Sequence, residues 1–218
     1  MILNDNNNIY IFLKKILDYE FLDYPDKIFA EVIEAYHKIF DDFIEDIKAK
    51  HLTYNDFTNE GIINLLFKDV NMEAIFYYRI ANCIFNANPN SISLDFLSSL
   101  QRKRTSVEIY YSTQIKPGLN VQHGVGIVIG PRNIIGNNFT IHQGVTIGQR
   151  YPSKSNDTIL IGDNVLISSG VKVIGNLTIG DNVLISENSV VRSDLKSNKT
   201  YIGSPRVRIS GLGFKNNI

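Results

Sequence analysis

The sequence predicts an α+β fold in which a helical N-terminal domain is followed by a parallel β-helix of hexapeptide repeats. Two observations carry that reading. Up to about residue 105 the apolar residues recur at steps of three and four, and beyond Thr105 they recur at steps of six. In addition, the octet from Ile161 to Ser168 (IGDNVLIS) returns letter for letter at Ile179 to Ser186, which is eighteen residues, or three hexads, later.

Taking the helical part first, Ile28, Phe29, Val32, Ile33, Tyr36, Ile39, Phe40, Phe43, Ile44 and Ile47 put one apolar stripe on a helix over 26–48. Shorter helical patterns are expected over 60–67, 73–85 and 94–104, separated by turn-forming stretches at Lys68-Asp69 and 86–90 (NANPN). The run Arg102-Lys103-Arg104 is expected to be a solvated helix end. The domain so defined spans 1–105.

The second part, 106–210, has its own period. Ile109, Ile115 and Val121 are six apart, as are Ile129, Ile135, Ile141 and Ile147, and again Ile161, Ile167, Val173, Ile179, Ile185 and Val191. Neither a helix nor an alternating strand has that step. A three-sided solenoid does: each hexad makes a short strand and a turn, the aliphatic residue points into the prism, and strands one coil apart pair at about 4.8 Å. A second inward position is expected four residues on, at Leu119, Val125, Phe139, Val145, Val165, Val171, Leu177 and Val183. Glycines 130, 136, 162 and 180 suit corners too tight for a β-carbon. The step breaks twice: eight residues separate Val121 from Ile129, so two extra residues bulge just after His123, and fourteen separate Ile147 from Ile161, so 148–160 leaves the prism as a loop. Excursions from a rigid scaffold are where binding groups are usually placed. Residues 211–218 form a C-terminal tail.

Composition narrows the function classes. Lys plus Arg and Asp plus Glu are both 22 in 218 residues, so total charge gives no case for a nucleic-acid or anionic-membrane partner. The sequence has no signal-peptide pattern and no apolar run of about 18 residues that could form a transmembrane segment, and a cytoplasmic location is expected. The single cysteine, Cys83, has no disulfide partner and sits in an apolar stretch, which favours a buried structural thiol over a nucleophile.

Over 107–208 the chain resembles the serine acetyltransferases and the wider hexapeptide-repeat acyltransferase superfamily, through 121–130 (VQHGVGIVIG), 143–148 (QGVTIG), 170–175 (GVKVIG) and 203–205 (GSP). A weaker likeness extends over 56–104, where 74–80 (AIFYYRI) resembles a family helix. The resemblance implies a left-handed coil, acetyl-CoA as co-substrate, and a homotrimer or dimer of trimers with active sites between neighbouring prisms. It implies that His123 is the catalytic base and Glu108 the carboxylate that orients it, glutamate standing where the family has aspartate. The acceptor-facing positions map onto Asp56, Gln122, Asp157 and Thr158; where the family carries an aspartate, an arginine and a histidine, the last three are neutral or of the wrong sign. The acetyl-CoA positions map onto Gly148, Gln149, Ser169, Glu187, Gly203 and Arg206, with Gly148 a candidate oxyanion donor.

A carboxylate that accepts one imidazole N–H fixes the tautomer and raises the basicity of the other nitrogen, which can then take the proton of an acceptor hydroxyl. With the partners for a zwitterion reduced, the expected acceptor is a sugar unit of a surface polysaccharide or its precursor, and L-serine is the alternative. A non-catalytic assembly protein, which would need neither His123 nor the loop, is the rival of another class. A zinc hydratase on this fold would need three histidines in the prism, and only His123 and His142 lie there, so no metal is expected. His37 and His51 read as polar surface residues.

Overall fold

Amphipathic spacing builds the helical layer. The computed structural model describes residues 5–21, 23–150 and 157–203. Among them five helices precede fourteen strands: α1 (Asp5–Glu20), α2 (Asp26–Lys50), α3 (Asn59–Lys68), α4 (Val70–Ala87) and α5 (Ser93–Thr105). The first of these lies upstream of the helices expected from sequence, although Ile9, Phe12, Leu13, Ile16 and Leu17, all buried, carry the same spacing of three and four. Helix α4 is the central one: it is buried on nearly every side from Met72 to Ile84 and packs on α2 and α5. Asp69 starts it, its Oδ1 accepting from the backbone N–H of Asn71 at 2.9 Å and of Met72 at 3.4 Å. Two residues depart from expectation. Arg104 is not a solvated helix end: its guanidinium reaches Glu73 at 2.5 Å and Glu20 at 3.3 Å. Cys83 is half-buried, and burial pushes its thiol pKa up, which suits a structural role.

The strands are β1 (Glu108–Ile109), β2 (Gln114–Ile115), β3 (Asn120–Gln122), β4 (Val128–Ile129), β5 (Ile134–Ile135), β6 (Thr140–His142), β7 (Thr146–Gly148), β8 (Ile159–Ile161), β9 (Leu166–Ile167), β10 (Lys172–Ile174), β11 (Leu177–Ile179), β12 (Leu184–Ile185), β13 (Val190–Val191) and β14 (Thr200–Tyr201). They form three parallel sheets, β1-β4-β7-β10-β13, β2-β5-β8-β11 and β3-β6-β9-β12-β14, one for each side of a prism. The register stacks like on like, as in Ile109↔Ile129, Ile129↔Ile147 and Val173↔Val191.

The second inward position holds with one correction. Val125 is 70% exposed, and Ile127 is buried in its place. The slot lies two residues before the next aliphatic, so the two-residue bulge moves Val125 out and Ile127 in. At three such slots the buried residue is polar: Thr113, Asn133 and Ser189. Asn133 is satisfied there, donating to Gly130 O at 2.8 Å and accepting from Ile159 N at 3.2 Å.

Three of the four corner glycines are as tight as expected, Gly136, Gly162 and Gly180, whereas a β-carbon on Gly130 would come no closer than 3.3 Å to a neighbour. A β-carbon on Gly162 would lie 2.2 Å from Asp181 Oδ1 and 2.8 Å from Asp181 N. Along one edge Asn138, Asn164, Asn182 and Asn198 all take left-handed backbone angles, and their side-chain amides bond in series at 3.0, 3.1 and 2.9 Å. Helices and prism are joined by a buried ion pair. Arg79 binds both oxygens of Asp46 at 2.7 and 2.9 Å, and Asp46 accepts from Gly118 N and Leu119 N at 2.9 and 2.7 Å. Arg79 also donates to Ile115 O and Lys116 O, which ties α2 and α4 to the first coil. Among the described residues no helix is long and apolar enough to cross a membrane.

Candidate active site

The bulge after β3 determines where the site lies. Each turn from the third sheet back to the first contains one left-handed residue, Gly126, Gly144, Gly170 and Asn188 in successive coils, with φ of 75°, 68°, 71° and 56°. These turns hydrogen-bond coil to coil, Gly144 N to Val125 O and Gly170 N to Gln143 O. The added residues are His123 and Gly124, which precede that ladder. His123 is therefore a second left-handed residue in the same turn, at φ 52°, and its side chain is exposed. Gln122, one residue earlier, is in register with His142 on the next coil. His142 is half-buried; burial, and then the charge of His123, lower its imidazole pKa.

Several of the expected site residues share this edge. Glu108 opens β1 on the coil above and pairs with Val128. Ser169 and Glu187 stack below, the N–H of Asn188 reaching Ser169 O at 2.9 Å. The Glu108 carboxylate, however, is held by Arg102 at 3.2 Å, and among the described residues it makes no hydrogen bond to His123. Arg102 and Glu108 side chains are 53% and 34% exposed, and an ion pair so exposed is worth about 0–1 kcal/mol, so its exchange for an imidazole costs little. Gln122 donates to Asn120 Oδ1 at 2.8 Å.

Gly148, Gln149, Asp157 and Thr158 lie elsewhere, on the turn that leads from the first sheet to the second. Gln149 Nε2 donates to Asp157 O at 3.2 Å, and Thr158 N to Asn176 Oδ1 at 3.3 Å. A β-carbon on Gly148 would meet nothing within 4 Å, so there is open space where a side chain would stand. Gly203 ends the described chain, its N–H on Ser189 Oγ at 3.0 Å. Arg206, the rest of the 203–205 turn, the tail over 211–218 and the loop segment 151–156 lie outside the described residues.

Asp56 sits in the helical domain, where its Oδ1 accepts from Thr58 Oγ1 at 2.6 Å, ahead of α3. It lines a cleft of about 490 Å³ with His51, Tyr54, Asn64, Lys68 and Asp69, so that both carboxylates and an ammonium face one space. Asp69 belongs also to a cluster beneath His123. Burial alone would raise its pKa, yet Lys50, the backbone N–H groups of Asn71 and Met72 and the imidazole of His51, at 2.9 Å, hold it below the usual carboxylate range. Lys50, with a side chain only 7% exposed, lies 3.6 Å from Asp69 and donates to Val121 O. Asn71 Oδ1 accepts from Gly124 N at 2.7 Å. His51 is thus more than a polar surface residue, and Lys50, Asp69 and Asn71 are site neighbours with no motif to mark them. Among the described residues no group of three metal-ligating side chains comes together.

A solved serine acetyltransferase in complex with cysteine superposes with a TM-score of 0.70 at 30% identity, covering 84% of this chain and 76% of that one. This chain belongs to the hexapeptide-repeat acyltransferase family. Residues 158–193 match the model of the bacterial transferase hexapeptide (six repeats). A serine acetyltransferase of Staphylococcus epidermidis is 39% identical over 134 residues. That alignment takes in 62% of this chain and 62% of the relative, so the chain spans less than two thirds of the curated relatives it matches. A serine acetyltransferase solved in complex with CoA gives a TM-score of 0.66 at 28% identity, over 80% of this chain and 72% of that one. The prism of this acyltransferase-family chain is accordingly a left-handed parallel β-helix.

Proposed function

We propose that the chain is an acetyl-CoA-dependent O-acetyltransferase whose acceptor is the hydroxyl of L-serine. The observation that carries the acceptor is the small-molecule-sized cleft lined by Asp56, Lys68 and Asp69, where Asp56 and Lys68 offer charges of both signs and Asp69, engaged by Lys50, His51 and the α4 amides, links the cleft through Lys50 to the Val121 carbonyl. An ammonium and a carboxylate on one substrate need such partners when water is displaced. The names borne by the relatives point the same way. They favour serine over the sugar acceptor expected from sequence.

His123 acts as general base. Its imidazole takes the serine Oγ proton, the oxygen adds to the thioester carbonyl, and collapse of the tetrahedral adduct expels the CoA sulfur, which receives the proton back from the imidazolium. Glu108 orients the imidazole after exchanging Arg102 for it. Gly148 has open space where a side chain would stand, which leaves room for the thioester, and we assign the oxyanion donor to a backbone N–H of this turn. His123 and Gly148 lie on different edges of one prism, and a trimer brings an edge of one copy against the other edge of its neighbour. Ser169, Glu187, Gln149 and Gly203 would line the acetyl-CoA groove between them.

A sugar acceptor remains the second reading, favoured by Gln122, Asp157 and Thr158, which offer no paired charge where a zwitterion-binding relative would. One assay separates the two: release of free CoA from acetyl-CoA with L-serine and, separately, with sugars, nucleotide sugars and oligosaccharides. Saturable turnover with L-serine is expected, and turnover with a sugar but not with serine would overturn the serine assignment. Failure to bind acetyl-CoA, with no turnover on any acceptor, would favour the assembly role.

A further inference from the structure

The two residues inserted at the bulge have no partner in the coil ladder. Val125 resumes it, and the bond from Ile127 N to Gly124 O, 3.1 Å, only closes the turn on itself. The Gly124 N–H must find its acceptor outside the prism. That acceptor is Asn71 Oδ1, at 2.7 Å, on the first turn of α4. Asn71 can approach because position 124 has no β-carbon: one built there would lie 2.8 Å from Asn71 Oδ1 and 2.6 Å from Val107 Cγ2. Two residues before His123, the Val121 carbonyl is taken by the Lys50 ammonium, itself buried against Asp69, whose other oxygen caps α4. His123 is therefore bracketed by two bonds from the helical domain, and it holds a left-handed backbone that few non-glycine residues adopt unaided.

We infer that Asn71 and Lys50 are positioning residues that hold the His123 turn in its working conformation, so that the helical domain, and not the prism alone, sets where the base stands. The inference rests on the acetyltransferase reading for its kinetic consequence, but the holding of the turn can be measured apart from it. A base misplaced by about 1 Å costs on the order of 10²-fold in rate.

The test compares the unmodified 218-residue chain with Asn71→Ala, Asn71→Asp, Lys50→Met and Lys50→Arg. Asn71→Asp keeps the acceptor and Lys50→Arg keeps the donor. Amide hydrogen exchange at Gly124 should accelerate at least about tenfold in Asn71→Ala, since a lost amide bond of about 1–2 kcal/mol opens the turn, while Gly144 in the prism ladder stays protected. With acetyl-CoA and L-serine, kcat should fall about 10- to 100-fold in Asn71→Ala and in Lys50→Met, with KM for acetyl-CoA unchanged, and should recover in Asn71→Asp and Lys50→Arg. Unaltered Gly124 exchange in Asn71→Ala would overturn the inference, as would faster exchange with unchanged kcat. Should the unmodified protein transfer acetyl to no acceptor, the acetyltransferase reading fails instead, and the His123 imidazole resonances become the readout. Their displacement in Asn71→Ala supports the holding of the turn, and unmoved resonances overturn it.

Discussion

At the scale of single residues, the two prism histidines are distinguished by their surroundings. His123 stands exposed on a left-handed turn, whereas His142 is half-buried one coil away, in register with the residue before it. Burial and the neighbouring charge keep His142 neutral to lower pH than an ordinary imidazole. In a histidine NMR titration its midpoint should therefore fall below about 6.5 and rise toward that value in His123→Ala, which removes the neighbouring charge. Because folding lowers this pKa, the unfolded chain binds more protons. The stability tied to neutral His142 is present above about pH 6.5 and is lost as pH falls below it. In the same His123→Ala variant acetyl transfer should drop by about 10²–10⁴-fold with acetyl-CoA binding little changed, the usual worth of a general base. Full turnover in that variant would contradict the role given to His123, and a His142 midpoint indifferent to it would place the two rings too far apart to interact.

Secondary-structure elements were legible wherever one periodic force shapes them. The step of six gave the prism, because every coil must place an aliphatic residue at the same inward slot, and the step of three and four gave α2 to α5 within a few residues. Helix α1 carries the same stripe in Ile9, Phe12, Leu13, Ile16 and Leu17. What the pattern could not give is contact between elements far apart in sequence. Asn71 meets Gly124, and Asp46 meets Gly118, only after folding, and neither pair leaves a spacing to detect. Val125 shows the complementary failure: the bulge was visible, but a fixed offset from Val121 assigned the inward slot to the wrong residue. The Asp46–Arg79 pair makes the junction testable. Asp46 is fully buried and Arg79 only 4% exposed, so Asp46→Ala leaves a buried guanidinium without its counter-charge and two prism N–H groups without their acceptor. A loss of about 3–5 kcal/mol in equilibrium denaturation is expected. A change under about 1 kcal/mol, within the range of an exposed pair, would show that helices and prism do not depend on this contact.

For the whole molecule, the proposed site residues fall on two separate edges of one chain. Glu108, His123, His142, Ser169 and Glu187 run along one edge of the prism, and Gly148, Gln149 and Thr158 along the next, with a full sheet between them. On the proposed assignment a single copy therefore carries two half-sites. Three copies about a threefold axis can set the first edge of each against the second edge of the next, and the interface is then head-to-tail and closed. Sedimentation should report a trimer or a multiple of it at assay concentration, and a functional consequence follows. His123→Ala disables the first edge, and Gly148→Glu places a charged side chain in the open space of the second. Each variant alone should be inactive. If the two are mixed, dissociated and reassembled, a site works only where the Gly148→Glu copy supplies the first edge and the His123→Ala copy the second. Random assembly of equal amounts makes that combination in about one interface of four, so activity should return to roughly a quarter of the unmodified level. Recovery of that order requires sites shared between copies. If the mixture stays as inactive as its components while still sedimenting as trimers, each chain must complete its own site, and the division of the machinery between two edges would be wrong.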